Sequence, residues 1–162
     1  DVYKRQTAKD GDYQNIKTIN SVGTSSWTDG SVKTGKTYYY KIKTVVKTQN
    51  GEQTSGFSNV KSAKAVPAKT TLKAKASDAK NVKLTWSKVK GASGYEIYRS
   101  NSKDGKCSKV KTISKGSTTS YKNGKLKKST TYYYKIRAYR KVNGKKVYGS
   151  YSSVVSVKTK AK

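Results

Sequence analysis

The sequence predicts an all-β protein made of short antiparallel strands packed as a sandwich. Three observations carry this. The apolar pattern rests on Val, Ile, Thr and 14 tyrosines, while leucine occurs only at Leu72, Leu84 and Leu126 and methionine is absent, a strand-forming composition. Apolar residues alternate with Lys and Thr at period two, as half-buried strands require. The hexapeptide "TYYYKI" occurs at Thr37–Ile42 and again at Thr131–Ile136, 94 positions later, which marks an internal repeat.

Residues 7–60 laid over residues 101–154 without gaps give 19 identities in 54 positions. Trp27 falls on Tyr121, Gly30 on Gly124, Val32 on Leu126 and Phe57 on Tyr151. The second unit, residues 67–160, reads as complete. Leu72, Ala74 and Ala76 alternate with Lys73 and Lys75 to give a first strand. Val82, Leu84 and Trp86 give a second, and Tyr95 with Ile97 a third. Short runs follow near Val110–Ile113 and Thr118–Tyr121, then a long run from Thr130 to Arg140 and a last from Val147 to Thr159. Seven short strands with this alternation fit an antiparallel β-sandwich. The pairs Asn50–Gly51 and Asn143–Gly144 mark hairpin tips. Residues 62–69, "SAKAVPAK", hold the only proline and read as a linker between units.

Within the second unit, "LTW" (Leu84–Trp86), "SGYEIYRS" (Ser93–Ser100), "LKKSTTYYYKIRAY" (Leu126–Tyr139) and "GSYSSVVSVKT" (Gly149–Thr159) together resemble the fibronectin type III pattern. Lys128 departs from it, where the family often has proline. The resemblance implies an immunoglobulin-like sandwich with one complete repeat and one truncated repeat. It implies that Tyr132 is the tyrosine corner, its hydroxyl bonded back to upstream backbone. Tyr132, Tyr134, Ile136 and Ala138 then face the core, and Tyr133, Lys135, Arg137 and Tyr139 face outward. By the same alignment residues 7–66 are the C-terminal part of a truncated repeat, with Val2-Tyr3-Lys4-Arg5 mimicking "IYRS" in the place of a third strand. Residues 1–6, "DVYKRQ", when back-translated resemble the end of a sequencing adapter, which implies a non-biological hexapeptide and a chain cut upstream. Similar modules sit in tandem in secreted or wall-attached bacterial proteins, so a secreted or cell-surface location and neighbouring domains of a parent protein are implied.

The formal net charge is +29. It divides as +6 through Val66 (11 basic, 5 acidic) and +23 beyond it (26 basic, 3 acidic). Such a surface attracts anionic polymers. Arginine stands only at Arg5, Arg99, Arg137 and Arg140, so forked phosphate recognition is scarce. With no histidine and one cysteine, Cys107, triads and Cys/His zinc sites are excluded, as is an intrachain disulfide. The eight acids fall mostly at turns, and Glu96 reads as alone on its strand. "DGD" at Asp10–Asp12 has the counterpart "DGK", so it reads as a tight turn rather than half a calcium loop. No apolar run reaches transmembrane length. The sequence therefore predicts a non-enzyme without cofactors, metals or membrane insertion.

One surface stands out as a candidate site. Tyr98, Tyr133, Lys135, Arg137 and Tyr139 should lie side by side on the outer face of the larger sheet. Aromatic plates with interleaved cations can hold an anionic polysaccharide or another extracellular polymer, while the same tyrosines can equally make ordinary cross-strand pairs. The leading functional expectation is a non-catalytic spacer or scaffold module. The alternatives are a module binding cell-wall or extracellular polysaccharide and, below it, nucleic-acid binding. Fold alone does not choose among them.

Overall fold

A computed structural model describes all 162 residues. The chain divides into two compact units, Asp1–Ala65 and Val66–Lys162. The first contains β1 (Val2–Gln6), β2 (Gln14–Thr18), β3 (Thr37–Lys43), β4 (Val45–Thr48), β5 (Gly51–Thr54) and β6 (Lys61–Lys64). The second contains β7 (Leu72–Ala76), β8 (Val82–Trp86), β9 (Gly94–Ser100), β10 (Ser108–Ile113), β11 (Ser120–Asn123), β12 (Thr131–Val142), β13 (Lys145–Tyr148) and β14 (Val155–Lys158). Every pairing is antiparallel.

In the second unit two sheets face each other. One has the order β10-β9-β12-β13, with β14 also on β12; the other has the order β11-β8-β7. Alternation decides what meets between them. Leu72, Val82, Leu84 and Trp86 from the smaller sheet pack on Tyr95, Ile97, Tyr132, Tyr134, Ile136 and Ala138 from the larger. Val82, Leu84, Tyr95, Ile97, Tyr134 and Ile136 are all 0% exposed. Each such side chain contributes about 1.5–3 kcal/mol by leaving water. Trp86 and Tyr95 rings meet at 5.4 Å and 58°, and the Tyr95 hydroxyl accepts from Val89 N–H at 3.0 Å and donates to Gly116 O.

The tyrosine corner is present. Lys127 N–H donates to Tyr132 Oη at 2.9 Å. The first unit repeats it, with Lys33 N–H donating to Tyr38 Oη at 2.9 Å. Asn143 and Gly144 both take positive φ, 48° and 75°, the two-residue hairpin turn that Asn-Gly favours.

The first unit is the less complete. Its sheet runs β2-β1-β3-β6, and β4 pairs with β5 as a separate hairpin. These match β10-β9-β12-β14 and the β12–β13 hairpin of the second unit. Nothing in the first unit stands for β7 and β8, and residues 26–29, aligned with β11, form no strand. The inward face of this sheet is therefore covered on one side only by loop residues. Tyr40 and Ile42 stay half-buried where Tyr134 and Ile136 are 0% exposed. Tyr3, Trp27, Val32, Tyr38 and Ile42 line a cleft of about 400 Å³ there.

Three sequence expectations need correction. Residues 62–64 are not linker: Lys61–Lys64 forms β6, in register with Thr37–Tyr40 of β3. The stretch lacks apolar alternation because its ladder hydrogen bonds, not its side chains, hold it. The run Val147–Thr159 is not one regular strand. Between Tyr148 and Val155 the ladder on β12 is interrupted, kept only by Gly149 N–H on Ala138 O at 2.9 Å and Ser152 N–H on Ile136 O at 2.7 Å, with the Ser152 hydroxyl accepting from Ile136 N–H in place of a backbone carbonyl. Gly149 also passes close to Pro67, where a Cβ would stand 2.3 Å from the carbonyl oxygen. The mimicry of "IYRS" is also one residue out. Tyr3 lies opposite Ile42 just as Ile97 lies opposite Ile136, so Val2–Gln6 takes the place of residues 96–100.

Candidate functional site

Strand register builds the outer face of the larger sheet. Pairing β9 with β12 sets Glu96 beside Arg137, Tyr98 beside Lys135 and Gly94 beside Tyr139. The β12–β13 hairpin then folds Lys146 and Tyr148 over the same face, with Tyr139 opposite Tyr148. Tyr151 reaches it from the segment after Gly149.

Glu96, which the sequence presents as solitary, is the centre of this face. It is 1% exposed. Its Oε2 accepts from the Tyr98 hydroxyl at 2.8 Å and from Arg137 Nη2 at 2.9 Å. Its Oε1 accepts from Lys146 Nζ at 3.0 Å and from the Tyr148 hydroxyl at 3.1 Å. Lys109 Nζ stands 3.5 Å away. Burial alone would raise the carboxyl's pKa, but these four hydrogen bonds outweigh it and hold the group at about 2. Burial, with Glu96 as acceptor, pushes the Tyr98 hydroxyl well above the usual phenol range.

Arg137 is enclosed by rings. Its guanidinium carbon lies 3.7 Å from the Tyr148 centroid, 4.9 Å from Tyr151 and 5.4 Å from Tyr98. Arg137 Nη2 also donates to the Tyr98 hydroxyl at 2.8 Å, and Nε is buried without a partner. Tyr98 and Tyr151 meet edge to face at 5.2 Å and 87°. Lys135 Nζ lies 4.4 Å over the Tyr151 ring.

Of the five candidate residues, the structure brings Tyr98, Lys135 and Arg137 into one cluster. Tyr133 lies half-buried at the other end, opposite Ser100 and Ser156. Tyr139 departs from the expectation of an exposed plate. It is 1% exposed, with its hydroxyl donating to Ile113 O. The cause is Gly94. A Cβ there would stand 2.6 Å from the Tyr139 hydroxyl, so the absent side chain lets the ring lie down across β9. Tyr148 and Lys146 Nζ then cover it, the latter 4.5 Å from its centroid. Sequence reasoning missed Glu96, Lys146, Tyr148 and Tyr151. The one sequence signal was an acid in mid-strand, Glu96, in a unit with net charge +23; its burial and partners come from strand register.

The chemistry of this face is structural. Its one carboxylate is saturated with donors. No group of three or more His, Cys, Asp or Glu side chains converges anywhere in the chain. No helix is long and apolar enough to cross a membrane. In the first unit a smaller version of such pairing holds the loop after Trp27. Arg5 and the Tyr40 hydroxyl both bond Asp29, whose pKa falls to about 2 because these bonds and those from Ser31 outweigh burial.

These features define an all-β immunoglobulin-like sandwich with two repeats, one more complete than the other. The particular sandwich is fibronectin type III-like. The FN1–FN3 domains of chicken CNTN1 align over 98% of this chain, at 20% identity and a TM-score of 0.51, and this chain spans 55% of theirs. The sixth fibronectin type III domain of human fibronectin type III domain containing protein 3 aligns over 62% of this chain and 92% of its own, at 18% identity and a TM-score of 0.51. At these identities the likeness is one of fold. No protein-family model and no curated protein matches the sequence.

Proposed function

We infer that the chain is a spacer or scaffold module that holds neighbouring domains of a secreted or cell-surface multidomain protein apart. One observation supports this above others. The aromatic face that the sequence offers to a polymer is occupied by its own side chains. Glu96 takes the donors of Arg137, Lys146, Tyr98 and Tyr148, and the ring of Tyr139 is buried. Opening that face to a ligand would strip a buried carboxylate of its partners, which is costly. The fold supports the same reading, since a chicken structure of FN1–FN3 domains in tandem aligns over 98% of this chain.

The test is retention of the full chain on insoluble cell-wall polysaccharide and on neutral glucan in about 150 mM salt, where exposed charges are largely screened. The spacer reading expects no retention on either that depends on the tyrosine face. Retention lost on Tyr133→Ala, with the fold intact by circular dichroism, would overturn it and favour polysaccharide binding through Tyr98, Tyr133, Lys135 and Arg137.

A further inference from the structure

The second unit carries another charged face, on the opposite sheet, and the spacer reading does not account for it. In the β11-β8-β7 sheet, Lys75 lies directly opposite Lys83, and Lys83 directly opposite Lys122. The next row outward on the same face is Lys73, Thr85 and Ser120, again in register. Leu72, Val82, Leu84 and Trp86 of these strands point into the core, so the four lysines point away from it, and all four are exposed. No carboxylate makes an ion pair with any of them; the four ion pairs of the protein involve other cations. Asp78, in the turn between β7 and β8, accepts from Lys80 N–H and Asn81 Nδ2, both at 2.8 Å; it feels the charge of Lys122 at the end of the row but makes no ion pair with it.

A row of three directly opposed lysines is unfavourable, since like charges facing each other across strands destabilise a sheet. Protection of sheet edges explains lysine on β7 and β11. It does not explain Lys83, because β8 is paired on both sides. We propose that this lysine ladder is a docking surface for a flexible, linear phosphodiester polymer.

The chemistry of the face selects that occupant. Strands spaced about 4.8 Å apart place the three ammonium stems across roughly 10 Å, suited to a chain with closely repeated negative charges. Lysines supply point charges that follow a flexible chain, where arginine forks would demand one fixed geometry. Thr85 and Ser120 add hydroxyls that donate to phosphate oxygens. No aromatic ring stands on the face, so neither bases nor sugar rings find a stacking platform. An aliphatic polyol phosphate needs none. The rigid convex backbone of a duplex meets so small a flat area at few phosphates.

The experiment measures binding of the full chain to poly(glycerol phosphate), polygalacturonate and duplex DNA of matched charge, each across a salt series. Two triple variants carry the same change in net charge. K75Q/K83Q/K122Q removes the ladder, and K103Q/K106Q/K115Q removes exposed loop lysines. Circular dichroism and thermal unfolding establish that both fold. The proposal expects poly(glycerol phosphate) to bind most tightly. It expects the ladder variant to bind it at least tenfold more weakly, with the slope of log affinity against log salt reduced by about 2, the loss of three single-chain phosphate contacts. The loop variant should stay within about twofold of the parent. Equal weakening by both variants would show charge without a site and overturn the proposal. So would binding of polygalacturonate or duplex DNA as tight as that of poly(glycerol phosphate).

Discussion

Glu96→Gln removes one charge from the centre of the larger sheet while keeping the side chain's shape and one acceptor oxygen. The displacement of the Glu96 carboxyl from 4.5 to about 2 corresponds to about 3 kcal/mol favouring the folded carboxylate. Solvent screening at Lys109 and Lys146, whose side chains are 48% and 30% exposed, discounts this to about 2 kcal/mol. The variant also leaves Arg137, 21% exposed, without its counter-charge, so a total cost of about 2–3 kcal/mol at pH 7 is expected. The sign of the pH dependence follows from the depressed pKa. The unfolded chain binds the proton first as pH falls. The contribution is complete above about pH 4.5 and is lost as pH falls through about 2. Parent and variant should therefore differ at pH 7 and converge toward pH 2. Asp29, also held near 2, weakens both alike and drops out of the difference. The assay is urea unfolding of the full chain in a Trp27→Phe background, leaving Trp86 as the fluorescent reporter. A cost below about 0.5 kcal/mol at pH 7, or a difference that stays constant down to pH 2, would refute the reasoning.

Other substitutions probe the frame around this face. Trp86→Ala leaves a cavity between the two sheets beside Tyr95 and should cost about 3–5 kcal/mol in the same unfolding assay. Gly94→Ala places a Cβ 2.0 Å from Ile113 O and 2.6 Å from the Tyr139 hydroxyl. It should cost about 2–3 kcal/mol and shift the near-ultraviolet tyrosine circular dichroism as the Tyr139 ring is displaced. Tyr132→Phe removes only the hydroxyl that accepts from Lys127 N–H, an expected loss of about 1–2 kcal/mol, measured by the urea midpoint at unchanged slope.

Much of the second unit is legible in the sequence because period-two alternation is a local signal. It assigns Tyr132, Tyr134, Ile136 and Ala138 to the core and Trp86 to the facing sheet without knowledge of any partner strand. What alternation cannot supply is register between distant strands. Glu96 meets Arg137, Lys146 and Tyr148 across separations of 41, 50 and 52 residues, and no local pattern encodes those meetings. Tyr139 shows the same limit. Alternation gives its face, but its burial depends on Gly94 opposite and on a hairpin that folds back over it. The lysine ladder is hidden for this reason too, since Lys75, Lys83 and Lys122 look like ordinary solvated residues until three strands align them. β6 is hidden in the opposite way. Its residues carry no apolar pattern, and the backbone of β3 alone recruits them.

The tyrosine corner has a consequence for the order of folding. Its hydrogen bond spans five residues and has the same 2.9 Å length in the first unit, where no second sheet closes over it, as in the second, where one does. Closing so short a loop costs little chain entropy, and the bond asks nothing of the distant strands. The corner can therefore form ahead of the long-range pairing that limits the folding speed of β-sandwiches. On that account the deficit of Tyr132→Phe falls on the folding limb of the chevron rather than on the unfolding limb, and stopped-flow refolding of the variant separates the two.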